Sequence, residues 1–435
     1  MYAELLARSG KQRAGTDTHF KITGYNHSRT VYQWATATPF LGGGGAKQRE
    51  AAKVDSVIPG PDVGPAVPLP PASDSPPPSG PLDMIVVGLG PAGAALAHRA
   101  SLRGWNVLGI DPEPAWRNTY GLFTDELPDW LPDPPVETLS TPSVIGESEH
   151  HPGREYAILD NDALRNRFLT FPTINEAAGD IGRNRVRVND EAHVADIVVD
   201  ARGGTDMEGP VQQAYGVVLK DDAAPVWMDL RPLEGTETPT FHYQIPVSGG
   251  TLHEETSLIH QGPLPWSALR DALRQRIGDH PDTEVMASET VLIPMTAMAE
   301  VDSTGPVPFG ARAGFVNPIS GFSVATSFDL ADPTLDALSL IIRGDTLNRL
   351  PWMALRYRLD QWLLSIGQQV LLELDAGKLP GFLEKVFTLS TAEQKRFLRL
   401  GDPVGTARGM LRIFLACDRN LRRSILRAVV SRSQR

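Results

Sequence analysis

Apolar and polar positions follow two rhythms along this chain. From Met84, "MIVVG" is a short continuous apolar run of the kind a buried strand shows. Pro91–Arg103 is an alanine-rich stretch with helical spacing, and Gly104 stops it. Trp105–Ile110 is a second apolar run, so strand, helix and strand follow one another in the span of a parallel unit with a crossover helix. Further strands are expected at "HVADIVVDARG" (193–203), "AYGVVLK" (214–220) and "VWMDLRP" (226–232), and hairpin-like runs over 226–300 suggest an antiparallel sheet. From about Thr334 the rhythm becomes helical, in "LDALSLIIRG", "LRYRLDQWLLSIGQQVLLELDAG" and "TARGMLRIFLACDRNLRRSILRAVV".

One stretch in the antiparallel part raises a chemical question. "FHYQIPVSGG" followed by "TLHEETSL" (251–258) reads as strand, Ser-Gly-Gly turn and strand, with Glu254 and Glu255 side by side. On a strand, neighbours face opposite ways. Leu252, Glu254, Thr256 and Leu258 then share one face, and His253, Glu255, Ser257 and Ile259 the other. One acid sits among leucines; the other is expected to be solvated. The alternative is a helix start, because Thr251-x-x-Glu254 fits a capping box, but Gly262-Pro263 closes the segment early for a helix.

Composition narrows the field. The chain has 435 residues, 41% hydrophobic and 21% charged, the profile of a globular protein with room for two or three packed units. A net charge of −11 argues against nucleic acid as a partner. A single cysteine, Cys417, rules out an intramolecular disulfide and a cysteine-built metal site, and it suits a reducing compartment. No metal site is expected. No apolar run approaches the roughly 18 residues of a spanning helix. "MYAELLARSGKQRAG" lacks the apolar core of a secretory signal, although the scarcity of acids leaves a transit peptide open. Residues 59–81 are nearly half proline, so residues 1–83 are expected to be a disordered Pro/Gly-rich extension, with Met84 the start of the folded protein.

Gly88-Leu89-Gly90-Pro91-Ala92-Gly93 is a G-x-G-x-x-G run between a strand and a helix. Gly88 permits the tight turn, Gly90 lets a pyrophosphate approach the backbone, and Gly93 lets helix and strand pack closely. Asp111 ends the second strand about 20 residues on, where a ribose hydroxyl would be met. Together they predict dinucleotide binding. The long aromatic and acidic connection "DPEPAWRNTYGLFTDEL" (111–127) favours FAD over NAD, because it is not the start of another simple strand–helix repeat.

These residues carry a family likeness. "IVVGLGPAGAALAHRASLRGWNVLGIDPEPAWRNTYGLFTDELPDWL" (85–131) resembles the opening of the flavin-dependent lycopene cyclases. "YAILDNDALRNRF" (156–168), "VVDARG" (198–203), "QQAYGVVL" (212–219), "VWMDLRP" (226–232), "FHYQIPVSGGTLHEETSL" (241–258) and "ARAGFVNPISGFSVATSF" (311–328) resemble later blocks. The likeness leaves out residues 1–83. The family motif Phe-Leu-Glu-Glu-Thr stands here as Leu252-His253-Glu254-Glu255-Thr256, so its first two positions depart.

The resemblance implies an α/β fold. Residues 84–225 and 306–330 would form an FAD-binding, Rossmann-like domain of the glutathione-reductase type. Residues 226–305 would form an antiparallel β substrate region, and 331–435 a helical C-terminal region. It implies cofactor contacts from Gly88, Gly90, Gly93, Asp111, Asp200, Gly314 and Gly321, and a catalytic pair, Glu254 and Glu255, with Glu254 the proton donor. Arg312-Ala313-Gly314 replaces the Gly-Asp that flavoproteins generally carry in this block, a departure that lycopene cyclases tend to share and aromatic hydroxylases do not.

The implied reaction is redox-neutral: a proton adds to a terminal alkene of lycopene, a ring closes on the cation, and a proton leaves, giving a β-ionone ring. Reduced FAD would stabilise the cation, with NAD(P)H as electron donor. A Glu that protonates an alkene must hold its proton near neutrality, well above the usual value of about 4.3, and burial or a neighbouring charge such as Glu255 would achieve that. Phe322, Trp227 and Tyr120 are candidate cation-facing aromatics by motif proximity, with core packing the plainer role for each. Asp229 and Arg231 read as an ion pair. Two other classes stay open: an FAD monooxygenase or prenyl reductase acting on an isoprenoid lipid, and a non-enzymatic prenyl-lipid carrier. A lycopene substrate implies a cytoplasmic protein peripheral to the membrane. The basic C-terminal stretch 407–435 is the candidate contact, with an apolar stripe of Met410, Leu411, Phe414, Leu415, Leu421, Ile425 and Leu426.

Overall fold

The computed structural model describes residues 80–113, 115–204, 209–235, 238–279, 284–296, 304–343, 350–374 and 376–432. The expectation of disorder over 1–83 therefore lies almost wholly outside the described residues. The first strand starts at Leu82, just before Met84, and Asp83 anchors it by accepting from the Asn106 backbone N–H at 2.6 Å.

Leu82–Val87, Pro91–Leu102 and Val107–Ile110 form the expected strand–helix–strand unit. Pro91 occupies the first helical turn, where its missing N–H has no helical acceptor to lose. Gly104, at φ +81, follows the helix where an L side chain would be strained. Buried Ala94, Ala95, Ala97 and Ala100 bring the helix close to its neighbours. The three strands Val107–Ile110, Leu82–Val87 and Glu191–Asp200 lie side by side and parallel. Thr173–Ile174 extends one side of the sheet, and Val307–Pro308 pairs with the end of Glu191–Asp200 on the other. Their carboxyl ends deliver the Gly88 turn, Asp111 and Ala201–Gly203 to one edge, the place where open parallel sheets bind ligands. Arg99 clamps the helix to the long Val324–Arg343 helix by donating to both Asp332 oxygens at 2.9 and 2.7 Å.

The second sheet is antiparallel apart from one parallel pair. Thr240–Val247 and Gly250–Ser257 form a hairpin whose two-residue loop ends in Gly249, at φ +86. The helix-start alternative for 251–258 is thus excluded. Pro210–Leu219 is an interior strand of the sheet, flanked by Gly250–Ser257 on one side and Val285–Pro294 on the other. From sequence alone, 210–219 falls within the nucleotide-binding portion, 84–225. A strand buried on both faces looks the same in either sheet, so only its partners could assign it. Val226–Asp229 and Ser143–Ile145 extend the sheet by a parallel pairing. The helix Trp266–Ile277 covers the sheet's outer face, against Gly250–Ser257 and Pro210–Leu219. A three-stranded sheet, Gly121–Phe123, Val136–Ser140 and Tyr156–Leu159, packs its Val136–Ser140 strand against Thr240–Val247 of the antiparallel sheet.

Helices 350–373, 379–384, 391–398, 403–416 and 419–432 close the molecule. The first of the C-terminal helices starts at Val324, before the expected 331, and keeps Pro333 inside it. The largest apolar core joins this helical region to the antiparallel sheet, with Ile245, Leu258, Leu371, Leu383, Phe397 and Ile413 among its members.

Candidate active site

A cavity of about 620 Å³ runs from the edge of the parallel sheet to the inner face of the antiparallel sheet. That volume is in the range of cofactor and small-molecule sites. Its polar end is lined by Gly88, Gly90, Pro91, Asp111, Arg202 and Gly203. Its other end is walled by Tyr156, Trp227, Tyr243, Leu252, Phe322 and Phe387, with Glu254 and Glu289 set among them.

At the polar end the backbone is shaped for close approach. Gly88 sits at φ +95, and a Cβ there would lie 2.6 Å from the Ala201 carbonyl carbon. A Cβ on Gly93 would lie 1.9 Å from the Gly88 oxygen, so this glycine is required for packing and is not itself cavity wall. A Cβ on Gly90 would meet nothing within 4 Å; it would project into open space ahead of the helix N-terminus. That cradle suits an anionic phosphate, which the exposed helical N–H groups and dipole favour. Asp111 Oδ2 accepts from the Leu89 N–H at 2.5 Å and Oδ1 from the Glu113 N–H at 2.8 Å, fixing the carboxylate at the cavity edge with lone pairs to spare. These residues fit a dinucleotide.

Other expected contacts fall differently. Asp200 is buried behind the wall. Arg202 donates to both its oxygens at 2.9 Å and Arg312 lies 3.3 Å away, so Asp200 positions Arg202, which does line the cavity. These arginines hold the Asp200 carboxyl below the usual range even though burial works the other way. Gly314 is also off the wall. At φ +73 it caps the short turn Gly310–Ala313, and its carbonyl accepts from the Gln361 amide at 2.5 Å. Gly321 does line the cavity, at φ +77, and a Cβ there would lie 2.4 Å from Gln212 Oε1.

At the apolar end, alternation holds along Gly250–Ser257: Leu252, Glu254 and Thr256 face the cavity, as does Leu258 just beyond. Glu254 lies deep in the molecule, and what it exposes is cavity wall. Burial, and then the negative charge of Glu289, push its carboxyl up to about 8. The Thr256 hydroxyl, donating to Oε1 at 2.7 Å, works in the opposite direction. Glu289 comes from Val285–Pro294, two strands away; sequence patterning gave no sign of it, because the third strand's place beside Pro210–Leu219 is a tertiary fact.

Glu255 is not solvated, and it is not in the cavity. It is 0% exposed, its Oε1 accepts from Thr240 Oγ1 at 2.5 Å, and Arg276 of the covering helix lies 3.3 Å from Oε2. Burial raises its carboxyl, while Arg276 and Thr240 oppose that rise. Glu255 is thus not the charge that acts on Glu254. His253, on the same outer face, lies 2.9 Å from Asp221 through Nε2 and stacks on His242 at 5.4 Å. Burial lowers His242 to about 4. Asp229 and Arg231 form the expected ion pair, with Arg231 Nε 2.9 Å from Oδ1. Trp227, Phe322 and Tyr120 all reach the cavity, and Trp227 stacks on Phe322 at 6.0 Å and 29°. Among the described residues no cluster suited to a metal ion is present, and no helix is long and apolar enough to cross a membrane.

A parallel sheet with a glycine turn, fused to an antiparallel sheet that shares its cavity, is the fold of flavoprotein oxidoreductases. A geranylgeranyl bacteriochlorophyll reductase-like protein of Thermoplasma acidophilum superposes with a TM-score of 0.60, at 14% identity, over 80% of this chain and 98% of that one. The family model for lycopene cyclase protein matches residues 165–404. An uncharacterized carotenoid cyclase of Deinococcus radiodurans is 32% identical over 80% of this chain and 94% of its own length. A chloroplastic lycopene beta cyclase of Arabidopsis thaliana is 27% identical over 71% of this chain and 72% of its own. The chain belongs to the lycopene cyclase family and is an enzyme.

Proposed function

We propose that the protein is a lycopene beta-cyclase, converting the linear ends of lycopene into β-ionone rings without net oxidation. The observation that carries this is Glu254: a carboxyl that keeps its proton to about pH 8, on the cavity face of a strand, among aromatic and aliphatic side chains. Such a group can donate to an alkene at neutral pH, where an ordinary carboxylate has no proton to give. Trp227 and Phe322 present aromatic faces to the same space, and ring faces attract a developing cation. The apolar lining excludes water that would otherwise trap that cation. Gly88, Gly90, the helix start at Pro91 and Asp111 would hold FAD, which in its reduced form, with NAD(P)H as donor, would supply negative charge to stabilise the cation.

Lycopene has almost no aqueous solubility, so the enzyme is proposed to collect it from a membrane surface. The C-terminal stripe expected from sequence is divided by the structure. Leu421 and Ile425 pack into the core, whereas Leu411 and Leu415 are 58% and 57% exposed. Exposed Leu355, Leu359 and Trp362 lie on helix 350–373, which packs against the helix carrying Leu411 and Leu415. These apolar side chains support a peripheral contact better than the last helix does.

Expression in cells that accumulate lycopene, followed by pigment chromatography and mass spectrometry, tests the reading. Ring-closed products of unchanged mass are expected. A gain of hydrogen would point to a prenyl reductase, a gain of oxygen to a monooxygenase, and unaltered lycopene would remove the proposal.

A further inference from the structure

Glu254 and Glu289 face each other across a glycine. In the sheet register, Gly216 of Pro210–Leu219 pairs with Glu254 on one side and with Glu289 on the other. A Cβ at Gly216 would lie 3.0 Å from Leu252 Cδ1 and 3.3 Å from Glu254 Cβ, so a larger residue would crowd the space between the two acids. Both side chains line the same cavity, and the charge of Glu289 acts on Glu254. Each accepts from a separate donor: Thr256 Oγ1 gives to Glu254 at 2.7 Å, and the Thr119 backbone N–H gives to Glu289 Oε2 at 2.9 Å. Two carboxyl groups brought together in an apolar cavity favour sharing one proton, because like charges close together in such a place cannot both ionise without cost. Among the described residues, three carboxylates line the cavity, and the third, Asp111, is tied to backbone N–H groups at the dinucleotide end.

We propose that Glu254 and Glu289 are a carboxyl–carboxylate pair sharing one proton, in which Glu289 is the positioning residue that keeps that proton on Glu254. The proposal rests on the cyclase reading and deepens it. A backbone N–H donor favours an ionised carboxylate, and the charge on Glu289 makes loss of a second negative site's proton costly. In the forward step the O–H bond of Glu254 breaks and the alkene π pair forms the new C–H bond, leaving a carbocation opposite a doubly ionised pair. The cation then takes up the π pair of a second alkene to close the ring. A C–H bond beside the ring cation breaks, its electrons form the ring double bond, and its proton returns to the pair. Titratable neighbours around the pair are Tyr243, the cross-strand partner of Glu254, with Tyr156 and Tyr120. Burial above all pushes all three phenols up, and nearby carboxylates add to it, so they stay neutral; at Tyr243 the contact with Tyr156 ranks ahead of the carboxylates, and at Tyr156 the bond to Tyr243 works the other way.

The test uses full-length enzyme carrying FAD, with pH profiles of cyclisation and infrared difference titration of the protonated carboxyl band. In Glu289→Gln the alkaline limb should move acidward by about 1–3 pH units, and the carboxyl band with it. Activity should be depressed at neutral pH and recover in acid. Glu289→Asp, which keeps the charge, should stay nearer wild type. Glu254→Gln should lose the band. A Glu289→Gln profile and band coincident with wild type would overturn the pairing while leaving Glu254 as the acid. Full cyclisation by Glu254→Gln would instead overturn the cyclase assignment of that residue. If Glu289→Gln does not fold, the Glu289→Asp profile and the wild-type band decide: a band that titrates in the ordinary carboxylate range refutes the pair.

Discussion

The two faces of the strand Gly250–Ser257 carry the same residue type in different circumstances. Glu254 and Glu255 are adjacent, both are deep in the molecule, and burial raises both carboxyls. Glu254 meets another acid and an apolar cavity; Glu255 meets Arg276 and Thr240 under the covering helix. Burial alone therefore does not make a reactive acid. The sign of the nearest charge decides whether a buried glutamate becomes a proton reservoir or half of a structural ion pair.

Glu254→Gln is the sharpest cut on the cavity side. Cyclisation should fall by roughly 10²–10⁴-fold with FAD still taken up, the usual size of a general-acid contribution. Rates on bilayer-embedded lycopene, with a flavin spectrum of the purified variant, check it. On the packed side, Glu255→Gln should leave the rate per folded molecule near wild type and cost up to about 3 kcal/mol in urea unfolding, because buried Arg276 loses its nearer carboxylate and keeps only Asp229, at 4.0 Å. The double variant Glu255→Gln/Arg276→Met should recover much of that loss. A stable Glu255→Gln enzyme with no activity would erase the contrast between the faces.

Stability against pH gives a third handle. Folding raises Glu254 from its ordinary 4.5 to about 8, so the folded state binds the extra proton between those values. The associated stability is complete below about 4.5 and is lost as pH rises through about 8. Glu254→Gln should therefore gain on wild type across that interval, levelling off above it at on the order of 2 kcal/mol once cavity water is allowed for. Equal stability of the two proteins at pH 9 would show that Glu254 is ionised in the folded enzyme at neutrality. The smallest effect is expected from Thr256→Val. Removing a hydrogen bond that favours the ionised form should raise the alkaline limb of the rate profile by about 1 pH unit, with little change at neutral pH.

The local rules wrote part of this molecule plainly. Gly88, Gly90, Gly93 and Asp111 follow a spacing set by one strand, one turn and one helix, and the period of two along a strand puts Glu254 with Leu252 and Leu258 whatever its partner strands are. Such features depend on residues within a few positions of each other, or on one repeating unit. What lay between distant segments was decided by packing. Glu289 is 35 positions from Glu254 and reaches it because Pro210–Leu219 pairs with both strands through Gly216. Arg276 reaches Glu255 from a helix laid over the sheet. Asp200 and Gly314 sit in motif blocks yet turn away from the cavity, one toward two arginines and the other into a turn. Sequence fixes which groups are available and which way a strand faces them. Charge acts through space at short range, so the identity of each group's nearest neighbour, and with it the chemistry, exists only in the folded chain.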